Sequence, residues 1–227
     1  MTLQDVLQEL ESLGTAQNRK VYRRHGACEN LYGVSFANLR KMAKQLKIDH
    51  SLAQQLWSTS NHEAQLLASM IADPETAEES LVDRWITELA DRIVTSEFTV
   101  FVSKTPYFHA KTGEWLDSEE EWIGRAGWQL LALLAMNDES TPDSYFENYL
   151  GIIEREIHTR QNMVRDAMNS ALIAIGIRNP ALEKKALSAA KTIGKVEVDH
   201  GETSCKTPDA AEYIRKTVAR KKQRKKR

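Results

Sequence analysis

Apolar residues recur at helical spacing along almost the whole chain. Two neighbouring sets show the pattern: Leu52, Ala53, Leu56 and Trp57, then Ala64, Leu67, Ala68 and Ile71. Each set lies on one side of a helix, because residues three and four apart share a face. No segment shows the period-two alternation that is typical of a half-buried strand. Short amphipathic helices must bury their apolar stripes against one another, so the sequence predicts an all-α fold.

Proline and glycine divide this pattern into short helices. Breaks are predicted at Asp73-Pro74, Thr105-Pro106, Lys111-Thr112-Gly113, Thr141-Pro142-Asp143, Arg178-Asn179-Pro180 and Thr207-Pro208-Asp209. The intervals leave room for one or two helices each. Degenerate helix pairs of roughly 40 residues are typical of HEAT-type solenoids, in which neighbouring repeats bury each other's apolar faces. An irregular helical domain is the alternative that periodicity alone leaves open.

A run of residues near the N-terminus carries a recognisable motif. It comprises Tyr32-Gly33-Val34, Asn38-Leu39-Arg40-Lys41-Met42-Ala43-Lys44, Asp49-His50, Asn61-His62-Glu63-Ala64 and Asp73-Pro74. This order resembles the opening of the DNA-alkylation-repair family, HEAT-like stacks of antiparallel helices that excise alkylated purines from DNA. The resemblance covers roughly residues 3 to 180. It implies a right-handed HEAT-like solenoid that recognises DNA on a concave basic face.

In the resembled family, an aspartate and two tryptophans line a cleft and an arginine contacts the DNA backbone. Trp115, Trp122, Arg125 and Ala126 match the family's spacing around that arginine. The resemblance therefore implies that Arg125 binds a phosphate, for which a guanidinium at a helix start is well suited. A surface ion pair with Glu121, one turn earlier, is the alternative.

The position that corresponds to the family's catalytic aspartate is occupied by Glu97. A glutamate can stabilise an oxocarbenium-like sugar or position a water for attack at the anomeric carbon. Ile93 and Ser170 occupy the positions of the two tryptophans, and they offer no aromatic surface to a cationic alkylated base. If the chain is a glycosylase, we expect Glu97 to be its catalytic residue. The alternative is a solvated acid at a helix end.

Polar residues at helical spacing form further candidate DNA-binding faces. They are Arg40, Lys44 and Lys47 on one helix, and Asn162, Arg165 and Asn169 on another. The resemblance also places Tyr22 near a tyrosine of the family's DNA cleft. Solvated helix faces have the same pattern, so the DNA-binding role of these residues depends on the resemblance.

The charge of the chain is unevenly divided. Residues 215–227 carry nine of the 31 basic side chains and no acid, which leaves 22 basic and 32 acidic side chains before them, a net charge of −10. We expect residues 1–214 to form a single HEAT-like domain and residues 215–227 to be a disordered basic tail. Such a tail either binds phosphates weakly through counterion release or only keeps the protein in solution.

The segment 194–206 is dense in side chains that can bind metals. These side chains belong to Asp199, His200, Glu202 and Cys205. Their spacing matches no standard zinc motif. It favours an ordered loop, followed by a helix that Asp209 caps. We therefore expect neither a metal nor another cofactor.

Cysteine content and hydropathy indicate the compartment. The two cysteines, Cys28 and Cys205, are far apart in sequence, and no leader or membrane-spanning segment is evident. We expect a cytoplasmic monomer whose partner is DNA. The leading hypothesis is a DNA-binding protein of the DNA-alkylation-repair family that recognises DNA, including alkylated DNA. Whether it excises bases stays open, and the alternative is a catalytically inert scaffold that binds another protein.

Overall fold

The computed structural model describes residues 1–224, which form thirteen helices and no strand. The helices are α1 (Leu3–Leu13), α2 (Ala16–Arg24), α3 (Phe36–Leu46), α4 (His50–Trp57), α5 (His62–Ile71), α6 (Glu79–Thr87), α7 (Arg92–Val102), α8 (Phe108–Leu116), α9 (Glu121–Asn137), α10 (Asp143–Glu156), α11 (Asn162–Gly176), α12 (Pro180–Ile193) and α13 (Ala210–Arg224). The all-α prediction is confirmed. Within these residues, no helix is both long and apolar enough to cross a membrane.

Side chains cap many of the helix starts. Thr2 and Asp5 form a reciprocal capping box at α1. The Asn61 side-chain oxygen accepts from the Ala64 N–H at α5. Asp209 accepts from the Glu212 N–H at 2.8 Å, which confirms the predicted cap of α13. These contacts satisfy amide groups that have no partner within the helix.

The chain forms two compact units. The first contains residues 1–108 and 200–204, and the second contains residues 109–199 and 205–224. In the first unit α3 packs on α5 and α5 on α7, while in the second α9 packs on α11 and α11 on α13. Alternate helices thus form one layer within each unit. The expectation of a single domain over residues 1–214 stays a prediction.

Aromatic side chains fill the core of the first unit. Trp57 of α4 and Trp85 of α6 stack with ring centroids 4.2 Å apart. Phe98 and Phe101 of α7 contact Trp85 at tilted angles. All four side chains are buried, and such pairs contribute beyond the apolar area that they bury. This cluster fixes α7 against the helices before it.

A buried carboxylate holds the loop that precedes α3. The Glu63 side chain on α5 accepts from the backbone N–H groups of Tyr32 at 2.8 Å, Gly33 at 2.6 Å and Val34 at 3.0 Å. Gly33 has a φ of +84°, and a Cβ there would lie 2.5 Å from the Thr15 carbonyl oxygen. Only glycine fits this position. The loop, and with it the start of α3, is therefore fixed to α5.

The predicted break at Lys111-Thr112-Gly113 is wrong, since these residues lie inside α8. The Lys111 side chain is buried, with its ammonium 2.8 Å from the Glu114 carboxylate. Gly113 faces open space, so a glycine at this place costs only conformational entropy. The other five predicted breaks lie where one helix ends and the next begins, with Asp143 and Pro180 as the first residues of α10 and α12.

The basic segment expected to be disordered continues α13 as far as Arg224. Lysine and arginine are good helix formers, and their charges are favourable near a helix C-terminus. Ile214 anchors the helix, because its side chain lies so close to Gly176 of α11 that a Cβ there would be 2.6 Å away. The rest of the predicted tail, residues 225–227, lies outside the described residues.

Replacing Glu63 with glutamine tests the role of its carboxylate. Glu63→Gln keeps the volume but turns an NH₂ group toward amide donors. We expect it to lower the free energy of unfolding by about 3 kcal/mol in urea titrations. The exposed Glu75 is the matched control, and Glu75→Gln should change stability by less than about 0.5 kcal/mol. Equal effects of the two variants would contradict the assignment.

Candidate nucleic-acid interface

One flank of α3 forms an exposed basic surface. Arg40 and Lys44 lie along this flank, Lys47 follows as the C-cap residue of the helix, and all three are exposed. The apolar residues Leu39 and Met42 are buried. No acidic residue occurs within α3. We call Arg40, Lys44 and Lys47 the α3 basic flank.

Glu97 of α7 lies beside this flank. The side chain is partly buried, and desolvation raises the pKa of its carboxyl group, while the nearby charges of Arg40 and Lys104 oppose that rise. The structure therefore brings together two residues that the sequence singled out, Glu97 and Arg40. Sequence analysis missed Lys104, which lies in the turn after α7, where helical spacing no longer applies.

Four of the five tryptophans do not provide an aromatic wall for a base, and the fifth, Trp122, is partly buried. Trp57, Trp85, Trp115 and Trp128 are all buried in the hydrophobic core. Ile93, one turn before Glu97, is only partly buried and aliphatic. Ser170 is exposed, and its hydroxyl donates to the Asp166 carbonyl oxygen. Neither position that corresponds to a family tryptophan can stack on a cationic base.

Arg125 is buried within the second unit and joins α9 to α11. Its guanidinium donates to the Asp166 carboxylate at 2.8 Å and to the Met163 carbonyl oxygen at 3.0 Å. Only 5% of its side chain is exposed. Glu121, the alternative partner considered above, accepts from the Met163 N–H at 2.7 Å. The structure thus gives Arg125 a structural role and does not present its guanidinium as an open phosphate fork.

Tyr22 also lies in the protein interior. Its hydroxyl donates to the Val34 carbonyl oxygen at 2.6 Å. Burial, with a smaller contribution from the Glu63 carboxylate, raises the pKa of Tyr22 to about 12. The structure therefore differs from the expectation of a DNA-facing tyrosine, because this ring supports the loop that precedes α3.

Asn162 holds the segment that was considered as a metal site. Its amide group donates to the Asp199 carbonyl oxygen and accepts from the Asp199 N–H, both at 2.8 Å. Arg165 is partly buried, with a long contact of 3.4 Å to the Asn162 side chain. Across residues 1–224, no three His, Cys, Asp or Glu side chains converge as metal ligands. The segment is an ordered loop, as its spacing favoured.

The chain belongs to the family described as DNA alkylation repair enzyme, whose sequence pattern matches residues 6–214. The uncharacterized protein Lin0241 of Listeria innocua is 31% identical over 216 residues, which cover 92% of this chain and 93% of that protein. The uncharacterized protein Lmo0209 of Listeria monocytogenes is 31% identical over 224 residues, covering 94% and 96%. Both relatives match over nearly their whole length.

A solved structure resembles the fold closely, with a TM-score of 0.90 and 31% identity. The similarity covers 97% of this chain and 95% of the other. That structure is described as representing a new family of proteins related to the HEAT-like repeat DNA glycosylases, with affinity for branched DNA structures. The predicted HEAT-like fold is therefore confirmed.

A substitution at Arg125 distinguishes a structural from a DNA-contacting role. Arg125→Ala leaves Asp166 without its buried partner, so we expect the free energy of unfolding to fall by about 3 kcal/mol. Thermal and urea unfolding measure this loss. The exposed Arg155 on α10 is the control, and Arg155→Ala should be nearly neutral. A fully stable Arg125→Ala protein with weakened DNA binding would instead support phosphate contact.

Proposed function

We propose that this protein binds DNA, with branched DNA as its preferred form, through the α3 basic flank and without excising bases. The observation that carries the proposal is an exposed row of cations along α3, a helix without acidic residues, on a body whose net charge before residue 215 is −10. An acidic body repels DNA at long range, so binding requires a local concentration of positive charge. The α3 basic flank supplies such a concentration.

The surroundings of the flank support backbone binding. Arg40, Lys44 and Lys47 point outward, and Lys104 adds a fourth cation near Glu97. Cations at such a face bind phosphates and release condensed counterions, which gives affinity without base contacts. Burial raises the pKa of Glu97, which favours its neutral form and so lessens the repulsion between this carboxylate and DNA phosphates.

The same surroundings argue against base excision. Glycosidic cleavage builds positive charge on the sugar, and a glycosylase stabilises that charge with a carboxylate and aromatic faces. Glu97 has Arg40 and Lys104 as close cationic neighbours, and Ile93 replaces one aromatic face. Nearby cations oppose the developing charge. The carboxylate is therefore poorly suited to catalysis.

The preference for branched DNA comes from the similar solved structure, whose family is described as having that affinity. The likeness extends over nearly the whole of both chains. Branched DNA also presents phosphates from several arms, which increases the charge density that a small basic face meets. These two considerations support a junction or a fork as the ligand.

Removing two cations from the flank tests the binding face. Arg40→Ala with Lys44→Ala should weaken binding to a fluorescent four-way junction about tenfold and reduce its salt slope by about 2. The matched control removes Lys184 and Lys191, two exposed lysines of α12, and should change neither value. Anisotropy titrations at several salt concentrations measure both. An unchanged slope in the flank variant would rule out this face, and binding of protein partners alone would support the scaffold alternative.

An excision assay tests the absence of glycosylase activity. Purified protein incubated with alkylated DNA should release no 3-methyladenine or 7-methylguanine, as measured by mass spectrometry of the soluble bases. Glu97→Gln removes a carboxylate beside Arg40, so it should bind the junction as tightly as the wild type or more tightly. Robust base release that Glu97→Gln abolishes would make the protein an enzyme.

A further inference from the structure

The exposed side of α13 combines one aromatic ring with a row of cations. Tyr213, Lys216, Arg220 and Arg224 follow one another at intervals of three or four residues, so they share a face. We call these four residues the α13 stripe. We propose that the α13 stripe binds unpaired DNA, with a base stacked on Tyr213 and the following phosphates on Lys216 and Arg220. The inference deepens the proposed DNA-binding function by naming single-stranded DNA as the ligand of this helix.

The Tyr213 ring is available to a ligand. Half of its surface is exposed, which is unusual for a large aromatic side chain in this protein. It lines a concavity of about 260 Å³, whose other lining residues are the cations Lys216 and Arg220, the acids Asp209 and Glu212, and Pro208 and Thr217. An exposed ring beside cations offers a base both a flat face and a nearby partner for its phosphate. This combination indicates a nucleotide rather than a purely ionic ligand.

The basic residues of α13 fall into two groups with different environments. Lys221 donates to the Ile177 carbonyl oxygen at 3.0 Å, and Lys222 lies 4.0 Å from the Glu183 carboxylate. These two lysines help to hold α13 on the rest of the second unit. Lys216 and Arg220 are exposed on the face that Tyr213 shares. Docking of the helix therefore does not explain them.

Charge changes sign along the helix. Asp209 and Glu212 lie at its N-terminal end, where the Asp209 carboxylate is used as the cap. From Arg215 to Arg224 there are six basic residues and no acid. With a rise of about 1.5 Å per residue, Lys216 and Arg220 lie about 4.5 and 10.5 Å beyond Tyr213 along the axis. A strand whose base stacks on Tyr213 can thus place its next phosphates over increasing positive charge.

Single-stranded DNA fits these features better than a duplex or an acidic protein. Bases in a duplex are already stacked on one another, and their faces cannot reach a tyrosine without unstacking. An acidic peptide satisfies the cations but has no base to stack on the ring. Branched DNA such as forks and flaps carries single-stranded arms, which expose unpaired nucleotides beside the duplex. The α13 stripe would therefore add affinity for the unpaired part of a branched ligand.

Tyr213 variants test the stacking contact. Tyr213→Ala should weaken binding of a fluorescein-labelled oligothymidine by on the order of tenfold, because base stacking on an aromatic side chain is lost. Tyr213→Phe keeps the ring and should bind within about twofold of the wild type. Affinity for a blunt duplex should stay the same in both variants. Far-ultraviolet circular dichroism checks that α13 persists, as expected from its anchor at Ile214.

Three results would overturn the inference. They are equal oligothymidine affinity of Tyr213→Ala and the wild type, equal losses in the Ala and Phe variants, and displacement of the oligonucleotide by polyglutamate at equal charge concentration.

The Arg40→Ala, Lys44→Ala protein separates this inference from the proposed function. This protein should lose junction affinity. When Tyr213→Ala is added to it, oligothymidine binding should still weaken as it does in the otherwise wild-type protein. Junction binding with no oligothymidine binding would reject the α13 stripe and leave the α3 basic flank intact.

Discussion

The buried carboxylate of Glu63 is the interaction on which the candidate DNA-binding face depends. It accepts three backbone N–H groups from the loop before α3. An unpaired carboxylate in such a place would be very costly, so the charge and the loop geometry require each other. Tyr22 adds a hydrogen bond to the same loop. Because the loop sets where α3 begins, these contacts determine the direction in which Arg40 and Lys44 project.

The cations of this protein divide into those that hold the fold and those that face solvent. Arg125 and Arg178 belong to the first group. Arg178 donates to the carbonyl oxygens of Ala135 and Thr141 and lies over the Phe146 ring. The α3 basic flank and the α13 stripe belong to the second group. Buried guanidiniums satisfy carbonyl and carboxylate oxygens of the protein, whereas exposed cations remain for an external polyanion.

Helical periodicity predicted the all-α fold, because burial of an apolar stripe gives apolar residues a spacing that is visible in the sequence. The cap at Asp209 could also be predicted, because its hydrogen bond joins residues close together in sequence. The basic end of the chain was misjudged because its anchor, Ile214 against Gly176, joins residues far apart in sequence. Lys111-Thr112-Gly113 was misjudged because turn-forming residues are also tolerated inside a helix that packs well.

The candidate site could be predicted only in part. Arg40 and Lys44 are exposed, as expected of polar residues at helical spacing, whereas the proximity of Glu97 to Arg40 joins two helices and was not predictable from spacing. Arg125 has the same polar character in sequence, yet it is buried with a carboxylate from another helix. Sequence spacing does not reveal such long-range partners, so a buried pair and an exposed cation look alike. Resemblance identified the family, and the three-dimensional contacts were needed to distinguish its buried, paired cations from its exposed ones.

Lysine acetylation footprinting tests the central claim most directly, because it reports on individual side chains. The protein is acetylated with and without a saturating four-way junction, and the modified lysines are quantified by mass spectrometry. Our account predicts that the junction protects Lys44, Lys47 and Lys104, while Lys184 and Lys191 of α12 react equally in both samples. Full reactivity of Lys44 and Lys104 in the presence of bound junction would contradict it.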